Sequence, residues 1–265
     1  MIANDLNKKF SWLRVSELTA YYKPLLSGQV LIYAGLSLFL SVLILLPVGG
    51  LAQFFFFTLI WTIIPYLFQF APLVFAKGGD ARLIERMLPA TAAEKMTFLL
   101  IYLFVVVGAV VYAFPEFTLW LYTKIPAVQN ESMLIFVNLR FSSSIGLIAM
   151  NTLSIVAAML TCLYMVLSAR NNRIIKGIAS VFAVQFSMAF LGGLYGIRMA
   201  FKKGFEDGMA NRPPMGVNIP VEQWRNIVAE FPVNNGFVIF VICLLTCYSL
   251  WMVWLSYRVF RKGEY

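Results

Sequence analysis

The sequence predicts an all-α polytopic membrane protein with about six transmembrane helices. Hydrophobic residues make up 61% of the 265 residues and charged residues 12%, against roughly 25% charged residues in soluble domains. The mean hydropathy is +0.80. The apolar residues form long runs rather than alternating ten-residue segments, which indicates spanning helices and not a transmembrane barrel. We therefore treat residues 1–265 as a single transmembrane domain.

Six apolar runs each approach the ~20 residues that cross a bilayer core. They lie at about residues 29–48, 51–76, 95–114, 145–169, 175–199 and 237–258. Pro47, Gly49 and Gly50 leave almost no connection between the first two runs, which should therefore form a tight helical hairpin. The segment 115–144 carries aromatic residues typical of an interfacial stretch, and Arg140 argues against a further crossing. The start of the fourth span stays open.

Residues 1–27 have the composition of an interfacial N-terminal helix. Between Leu6 and Tyr22, basic and aromatic side chains are mixed with apolar ones, which suits a helix lying in the headgroup layer. A loosely ordered basic tail is the alternative. Pro24 and Gly28 are expected to break the chain before it enters the bilayer. No short apolar core with a cleavage site is found there, so we expect no signal peptide.

A charged segment, residues 77–95, separates the second and third apolar runs, and we call its residues 77–89 the island. Gly78 and Gly79 should end the preceding helix, and Asp80 can cap a new helix of about two turns. Pro89 ends that helix. Thr91 and Glu94 then have the spacing of a capping box that opens the next span. On the island helix, one face is apolar and the other largely charged; the apolar residues are Leu83, Ile84, Met87 and Leu88, and the charged ones are Arg82, Glu85 and Arg86.

The basic residues predict the orientation of the chain. With the N-terminus inside, the inner side carries twice as many basic residues as the outer side, which agrees with the positive-inside rule. Both termini and the island are then cytoplasmic. The outer basic residues are Lys124, Arg140, Arg198, Lys202, Lys203, Arg212 and Arg225, and the other 14 of the 21 are inner.

The predicted outer loop, residues 201–236, has its own organisation. Its first part, GFEDGMANRPPMG, is rich in turn-forming residues. Between Pro220 and Pro232, apolar residues then recur at helical spacing. This pattern suggests a short re-entrant or surface-lying helix, and a soluble loop helix is the alternative.

The sequence offers no catalytic constellation. It has no histidine, no acidic residue well inside a span and no G-x-x-x-x-G-K-S/T nucleotide loop. Cys162, Cys243 and Cys247 all lie in apolar runs and are interpreted as small buried hydrophobes, with neither a disulfide nor a metal site expected. The net charge of +9 does not indicate nucleic-acid binding, because the basic residues flank the spans. We expect a protein that is not an enzyme.

A few polar and small residues lie within the spans. The amides Gln53, Gln69, Asn151 and Gln185 most often supply helix–helix hydrogen bonds, and a pore-lining or substrate-binding role is the alternative. Gly192, Gly193 and Gly196 are expected to permit close helix packing through a G-x-x-x-G pair.

The order of these parts resembles the type-2 class of ABC exporter permeases. That family has an N-terminal interfacial helix, six spans with both ends cytoplasmic, a coupling helix between spans two and three, and short re-entrant helices between spans five and six. Here DARLIERMLPATAAEK occupies the coupling position, and ERMLPATAAEK is similar to the leucine–proline–small–polar turn that enters span three. The resemblance covers nearly the whole chain as architecture and about a dozen residues as motif. The segment 115–144 is longer than the family usually has.

The resemblance implies a permease subunit of an ABC transporter, multi-pass in the inner (cytoplasmic) membrane. A separate cytoplasmic ATP-binding subunit would carry ATP and Mg, with no cofactor in this chain. A second permease chain, identical or different, would complete the transporter, and membrane lipids would surround it. A non-transporting scaffold or sensor subunit of a larger complex is the alternative. The residues implied to bind the ATPase are Asp80, Arg82, Leu83, Ile84, Glu85, Arg86, Met87, Leu88 and Pro89.

Overall fold

The architecture is that of a helical bundle, seen in a computed structural model that describes residues 10–46, 50–76, 90–125, 145–209 and 235–262. A 3₁₀ helix, Ala71–Ala76, follows the second helix, and a π-helical segment, Ile101–Val107, joins the third to the fourth as one rod. No strand occurs within these described ranges, so the predicted all-α fold is confirmed. The helices are α1 (Trp12–Ile44), α2 (Gly50–Phe68), α3 (Ala92–Leu100), α4 (Gly108–Lys124), α5 (Ile145–Ser168), α6 (Arg173–Met209) and α7 (Asn235–Lys262).

The protein is a multi-pass integral membrane protein. Five stretches of helix are long and apolar enough to cross a bilayer: Trp12–Leu43, Ala92–Lys124, Ile148–Ser168, Arg173–Tyr195 and Gly236–Lys262. The remaining predicted span corresponds to α2 and the 3₁₀ helix, in which Ile63–Ala76 is a shorter apolar helical stretch. That this sixth segment also crosses stays a prediction.

Helix α5 lies at the centre of the bundle. It packs against α6, α7 and the 3₁₀ helix, and its side chains from Ala157 to Leu163 are buried. On the other side α1 packs against α2 and the α3–α4 rod, as expected for the predicted hairpin of the first two spans. The Oγ1 of Thr161 on α5 and the hydroxyl of Tyr248 on α7 are 2.9 Å apart and form a hydrogen bond.

The outer faces of α1, α6 and α7 are apolar. Large side chains such as Ile32, Phe39, Phe186, Phe240 and Trp251 are exposed on them. In water such a surface would be a strong association site, whereas in a bilayer it is the face that contacts lipid tails. Cys243 and Cys247 are exposed on α7, so the expectation that all three cysteines are buried is right only for Cys162.

The predicted break at Pro24 and Gly28 is wrong. Helix α1 is continuous through both residues, for about 50 Å. Proline removes one backbone hydrogen bond, but a transmembrane helix tolerates this where neighbouring elements support it. The predicted interfacial helix and the first span are therefore one element from Trp12 onward.

Two further boundaries differ from the prediction. The rod of α3 and α4 continues through a buried Pro115 to Lys124, so the first ten residues of the segment 115–144 belong to the third span. Helix α6 continues to Met209, so the glycines expected to turn the chain at Gly204 and Gly208 are helical. The proposed short helix between Pro220 and Pro232 lies outside the described residues.

Candidate functional site

The functional prediction concerns the island, and the structure describes the elements on both of its sides. The island helix itself, including every residue implied to bind the ATPase from Asp80 to Pro89, lies outside the described residues. Before it comes the 3₁₀ helix, whose Ala71, Pro72 and Ala76 are buried. After it comes α3, which begins at Ala92. These two elements are the flanks through which the island is joined to the bundle.

The downstream flank begins with the predicted capping box, which is confirmed. The backbone N–H of Glu94 donates to Thr91 Oγ1 at 3.3 Å, and the backbone N–H of Thr91 donates to Glu94 Oε2 at 2.7 Å. Thr91 itself is extended and Ala92 starts the helix. The pair therefore satisfies two backbone donors at the point where the chain leaves the island.

Glu94 also binds the first turn of α1. The guanidinium of Arg14 donates from Nη2 to Glu94 Oε1 at 2.7 Å, and its Nε lies 3.0 and 3.1 Å from the two carboxylate oxygens. The backbone N–H of Ser11 donates to Oε1 at 2.7 Å. We call these four residues, Ser11, Arg14, Thr91 and Glu94, the clamp.

Burial makes the clamp costly to break. Glu94 is 0% exposed and the Arg14 side chain is 19% exposed, so neither charge is well solvated. A buried carboxylate is stable only when it is paired and its lone pairs accept hydrogen bonds. The clamp provides both, and it fixes the start of α1 against the start of α3.

A layer of aromatic rings lies two turns further along α1. Tyr22 stacks on Phe98 of α3, with ring centroids 5.2 Å apart, and meets Phe75 of the 3₁₀ helix edge-on at 6.3 Å. Phe75 also contacts Tyr102 edge-on at 6.0 Å. Because Phe75 precedes the island and Phe98 follows it, one α1 side chain contacts both flanks.

Gln29 forms the third contact between α1 and the two flanks. Its Nε2 donates to the carbonyl oxygen of Ala71 in the 3₁₀ helix at 2.8 Å. Its Oε1 accepts a hydrogen bond of 2.5 Å from the hydroxyl of Tyr102 at the start of the π-helical segment. A single amide thus joins the elements that enter and leave the island.

Arg14, Tyr22 and Gln29 lie on one face of α1, because separations of eight and seven residues return to nearly the same side of a helix. They extend over about 22 Å of its length. Through them α1 contacts the downstream flank at three positions along the α1 axis and the upstream flank at two. Among the described residues no group of three metal-ligating side chains occurs. The contacts connect α1 to both flanks, so a displacement of either flank would act on α1.

A polar hollow of about 710 Å³ lies beside the upstream flank. It is formed by Ala76, at the end of the 3₁₀ helix, and the connection between α5 and α6, which contains Arg170 and Arg173. Asn172 holds this turn with a left-handed φ of 54°, a conformation that asparagine tolerates better than most residues. Arg173 donates from Nε to the carbonyl oxygen of Ala169 at 2.6 Å. Basic groups therefore border the surface from which the island emerges.

A second polar feature lies inside the bundle, away from the island. The Nε2 of Gln185 on α6 donates to Oε1 of Gln69, in the turn after α2, at 3.0 Å. This contact confirms the helix–helix bonding predicted for these two amides. Gln185 and Asn151 also line an open groove of about 770 Å³ between α2, α5 and α6, together with Tyr66, Ser154, Phe182 and Phe186. We call it the α2–α5–α6 groove. The side chain of Gln53 lies outside the described part.

The composition of residues 6–22 predicts that Arg14 contacts lipid headgroups, and the sequence alone indicates no role for Gln29 or Tyr102. One signal for the clamp was present: Glu94 is a lone carboxylate at the start of an apolar run and needs a cationic partner. Nothing in the sequence identified which cation. Gly192 and Gly193 do not pack closely as expected, since a Cβ added at either would meet nothing within 4 Å; the packing at Gly196 lies outside the described part. Close packing occurs instead at Gly177.

Comparisons of the chain with protein-family models, with curated proteins and with solved structures find no match. Function is therefore inferred from the geometry and from the sequence pattern.

Proposed function

We propose that this chain is the membrane-spanning permease subunit of an ABC transporter, most simply an exporter, driven by a separate ATPase subunit. The observation that carries the proposal is the attachment of α1 to both flanks of the island by Arg14, Tyr22 and Gln29. An element that receives force from a partner must be connected to the spans that move. The island has such connections, whereas a helix that only rests on lipid has no need of them.

The mechanism that follows is conformational. The island helix docks its apolar face, Leu83, Ile84, Met87 and Leu88, into the cytoplasmic ATP-binding subunit. When that subunit changes shape on binding ATP, the flanks move with the island. The clamp and Gln29 then transmit the movement to α1 and the α3–α4 rod, and the membrane half alternates between access states.

The proposal implies partners and a location. ATP and Mg belong to the ATPase subunit, and a second permease chain completes the pathway. Both termini and the island lie in the cytoplasm, with the spans in the inner membrane. Purified alone, this chain should show no ATPase activity above background. If the purified chain did hydrolyse ATP, and a substitution within it abolished that hydrolysis, the proposal would be contradicted.

The decisive experiment changes Met87 on the apolar face of the island. Met87→Glu places an unpaired charge in the docked contact, which costs several kcal/mol and is enough to release a typical subunit. We expect the variant to insert and fold normally but to lose copurification of the ATPase subunit, or its stimulated turnover. The matched control is Met87→Leu, which keeps volume and polarity and should retain both.

Arg82→Ala, at the polar edge of the same helix, should have a milder effect, since charges at a contact rim contribute little. Undiminished recovery of every cytoplasmic partner with Met87→Glu would end the permease proposal. The chain would then fit the alternative, a scaffold or sensor subunit whose island helix lies on the headgroups.

A further inference from the structure

We propose that the α2–α5–α6 groove binds an uncharged amphiphile dissolved in the membrane, that is, a molecule with an apolar chain and a neutral hydrogen-bonding group such as a hydroxyl or an ester. This binding site goes beyond the proposed function and does not depend on it. The groove has a volume of about 770 Å³, within the range of small-molecule sites.

The walls of the groove match such a ligand. They combine apolar side chains with Asn151, Ser154 and Gln185, and none of the described residues that line them is charged. On α6 the rim carries Phe182 and Phe186, which are 63% and 74% exposed and belong to the face that contacts lipid. The groove is therefore accessible from the hydrocarbon phase.

One amide of the groove has unused hydrogen-bonding capacity. Asn151 is exposed, and its side chain makes no hydrogen bond with the part of the chain that the structure describes. In hydrocarbon no water is available to satisfy such a group. A ligand that offers both a donor and an acceptor would satisfy the carboxamide of Asn151.

The depth of the groove excludes a charged headgroup. Arg173 starts α6 at the basic end of the bundle, and Gln185 lies 12 residues later, about 18 Å along the helix. Half of a hydrocarbon core is about 15 Å, so this amide is near the bilayer middle. A phosphate at that depth would lose its hydration without gaining a cation. A hydroxyl or an ester can enter at much lower cost.

The groove also has the length of a lipid chain segment within the core. Along α6 it runs from Ala179 to Ala189, which is about 15 Å or half the core thickness. A second copy of this chain on the same face is the competing occupant. It is disfavoured because exposed amides on a helix–helix contact need polar partners, and the exposed α6 side chains that line the groove are apolar.

The test uses two photoactivatable lipids with the same diazirine-bearing acyl chain, a diacylglycerol and a phosphatidic acid, added to the full-length chain in nanodiscs. Cross-linked peptides are located by mass spectrometry. We expect diacylglycerol to label α5 and α6 at the groove, and phosphatidic acid to label it at least about tenfold less, because a charge at that depth is costly. Equal labelling by the two lipids would show ordinary annular contact and overturn the proposal.

Three variants distinguish a site from general lipid contact. Asn151→Leu should lower labelling about threefold, the effect of one hydrogen bond in a membrane protein. Ala179→Phe fills the groove without removing any hydrogen bond and should abolish labelling. Thr152→Val is the control, because Thr152 is exposed on α5, bonds only its own helix at Ile148 and does not line the groove.

Thr152→Val should leave labelling unchanged. Labelling that survives both Asn151→Leu and Ala179→Phe would refute the site. Labelling that appears only after the oligomer is dissociated would mean that a second copy fills the groove, and would refute it as well. Asn151 and Ala179 are both exposed, so we expect both variants to fold, and circular dichroism of each one checks this.

Discussion

Arg14 and Glu94 are 80 residues apart in sequence, yet two guanidinium nitrogens of the one contact the carboxylate of the other, the closest at 2.7 Å. The ion pair joins the first turn of α1 to the first turn of α3, directly after the island. It therefore links the two ends of the chain segment that contains the first two spans and the island.

Glu94→Gln should destabilise the protein by about 1 to 3 kcal/mol, because it removes the charge of a fully buried carboxylate whose partner is partly exposed. The guanidinium of Arg14 would lose the Glu94 carboxylate from its contacts. Unfolding of the purified protein in mixed micelles, followed by circular dichroism, measures the change. Glu17→Gln is the control, since Glu17 is exposed on the same helix and should shift stability by less than about 0.5 kcal/mol.

The double variant Arg14→Met with Glu94→Gln completes the test. It should be more stable than the sum of the single effects predicts, because either substitution alone already breaks the ion pair and the second one cannot break it again. Additive effects of the two substitutions would show that the side chains do not interact.

Gln185→Leu should cost about 1 to 2 kcal/mol. It leaves the fully buried carboxamide of Gln69 without its donor, and an orphaned buried polar group is more costly than the bond itself is stabilising. Gln69→Leu in the same chain should recover part of the loss. The same unfolding assay measures both, and a double variant less stable than either single one would contradict the assignment.

Gly177→Ala should destabilise the junction of α5, α6 and the 3₁₀ helix. A Cβ there would lie 2.7 Å from Leu73 Cδ2 and 3.1 Å from Val166 Cγ2, and overpacking of this kind costs about 1 to 3 kcal/mol. Gly193→Ala on the same helix is the matched control. It meets nothing within 4 Å and should leave stability unchanged or raise it by up to about 1 kcal/mol. Equal responses at the two positions would contradict the packing described here.

Single cysteines at Gly79 and Gly216, in a chain lacking the three native cysteines, should react with a membrane-impermeant maleimide from opposite sides. The expectation follows from the distribution of basic residues and an odd number of crossings between the two positions. Spheroplasts and inverted vesicles distinguish the two sides. Reaction of both cysteines from the same side would refute the six-span topology.

The sequence predicted the helices well and their connections less well. Apolar runs of membrane length specify spans almost by themselves, and the capping box at Thr91 is a local signal. The helix break predicted at Pro24 does not occur, because contacts at Arg14, Tyr22 and Gln29 outweigh the cost of one lost backbone hydrogen bond. These contacts are with residues far away in sequence, so the local pattern around Pro24 does not reveal them. The long-range partners of Glu94, Gln29 and Gln69 are 42 to 116 residues away. Such pairings depend on how the helices pack, which no local spacing reveals.

The π-helical segment Ile101–Val107 affects the direction in which the buried face of the α3–α4 rod points. One buried row repeats every four residues along it, at Lys95, Leu99, Leu103, Val107, Val111, Pro115 and Leu119. In a regular α-helix of 3.6 residues per turn this row would drift by about 40° at each repeat, or about 240° in all. In the wider π turn each residue rotates the chain by a smaller angle, so the seven residues of this segment take back roughly half of that drift. Without the segment, the buried side chains at the two ends of the rod would lie farther apart around its axis, and one continuous helix could not present them to the same neighbours.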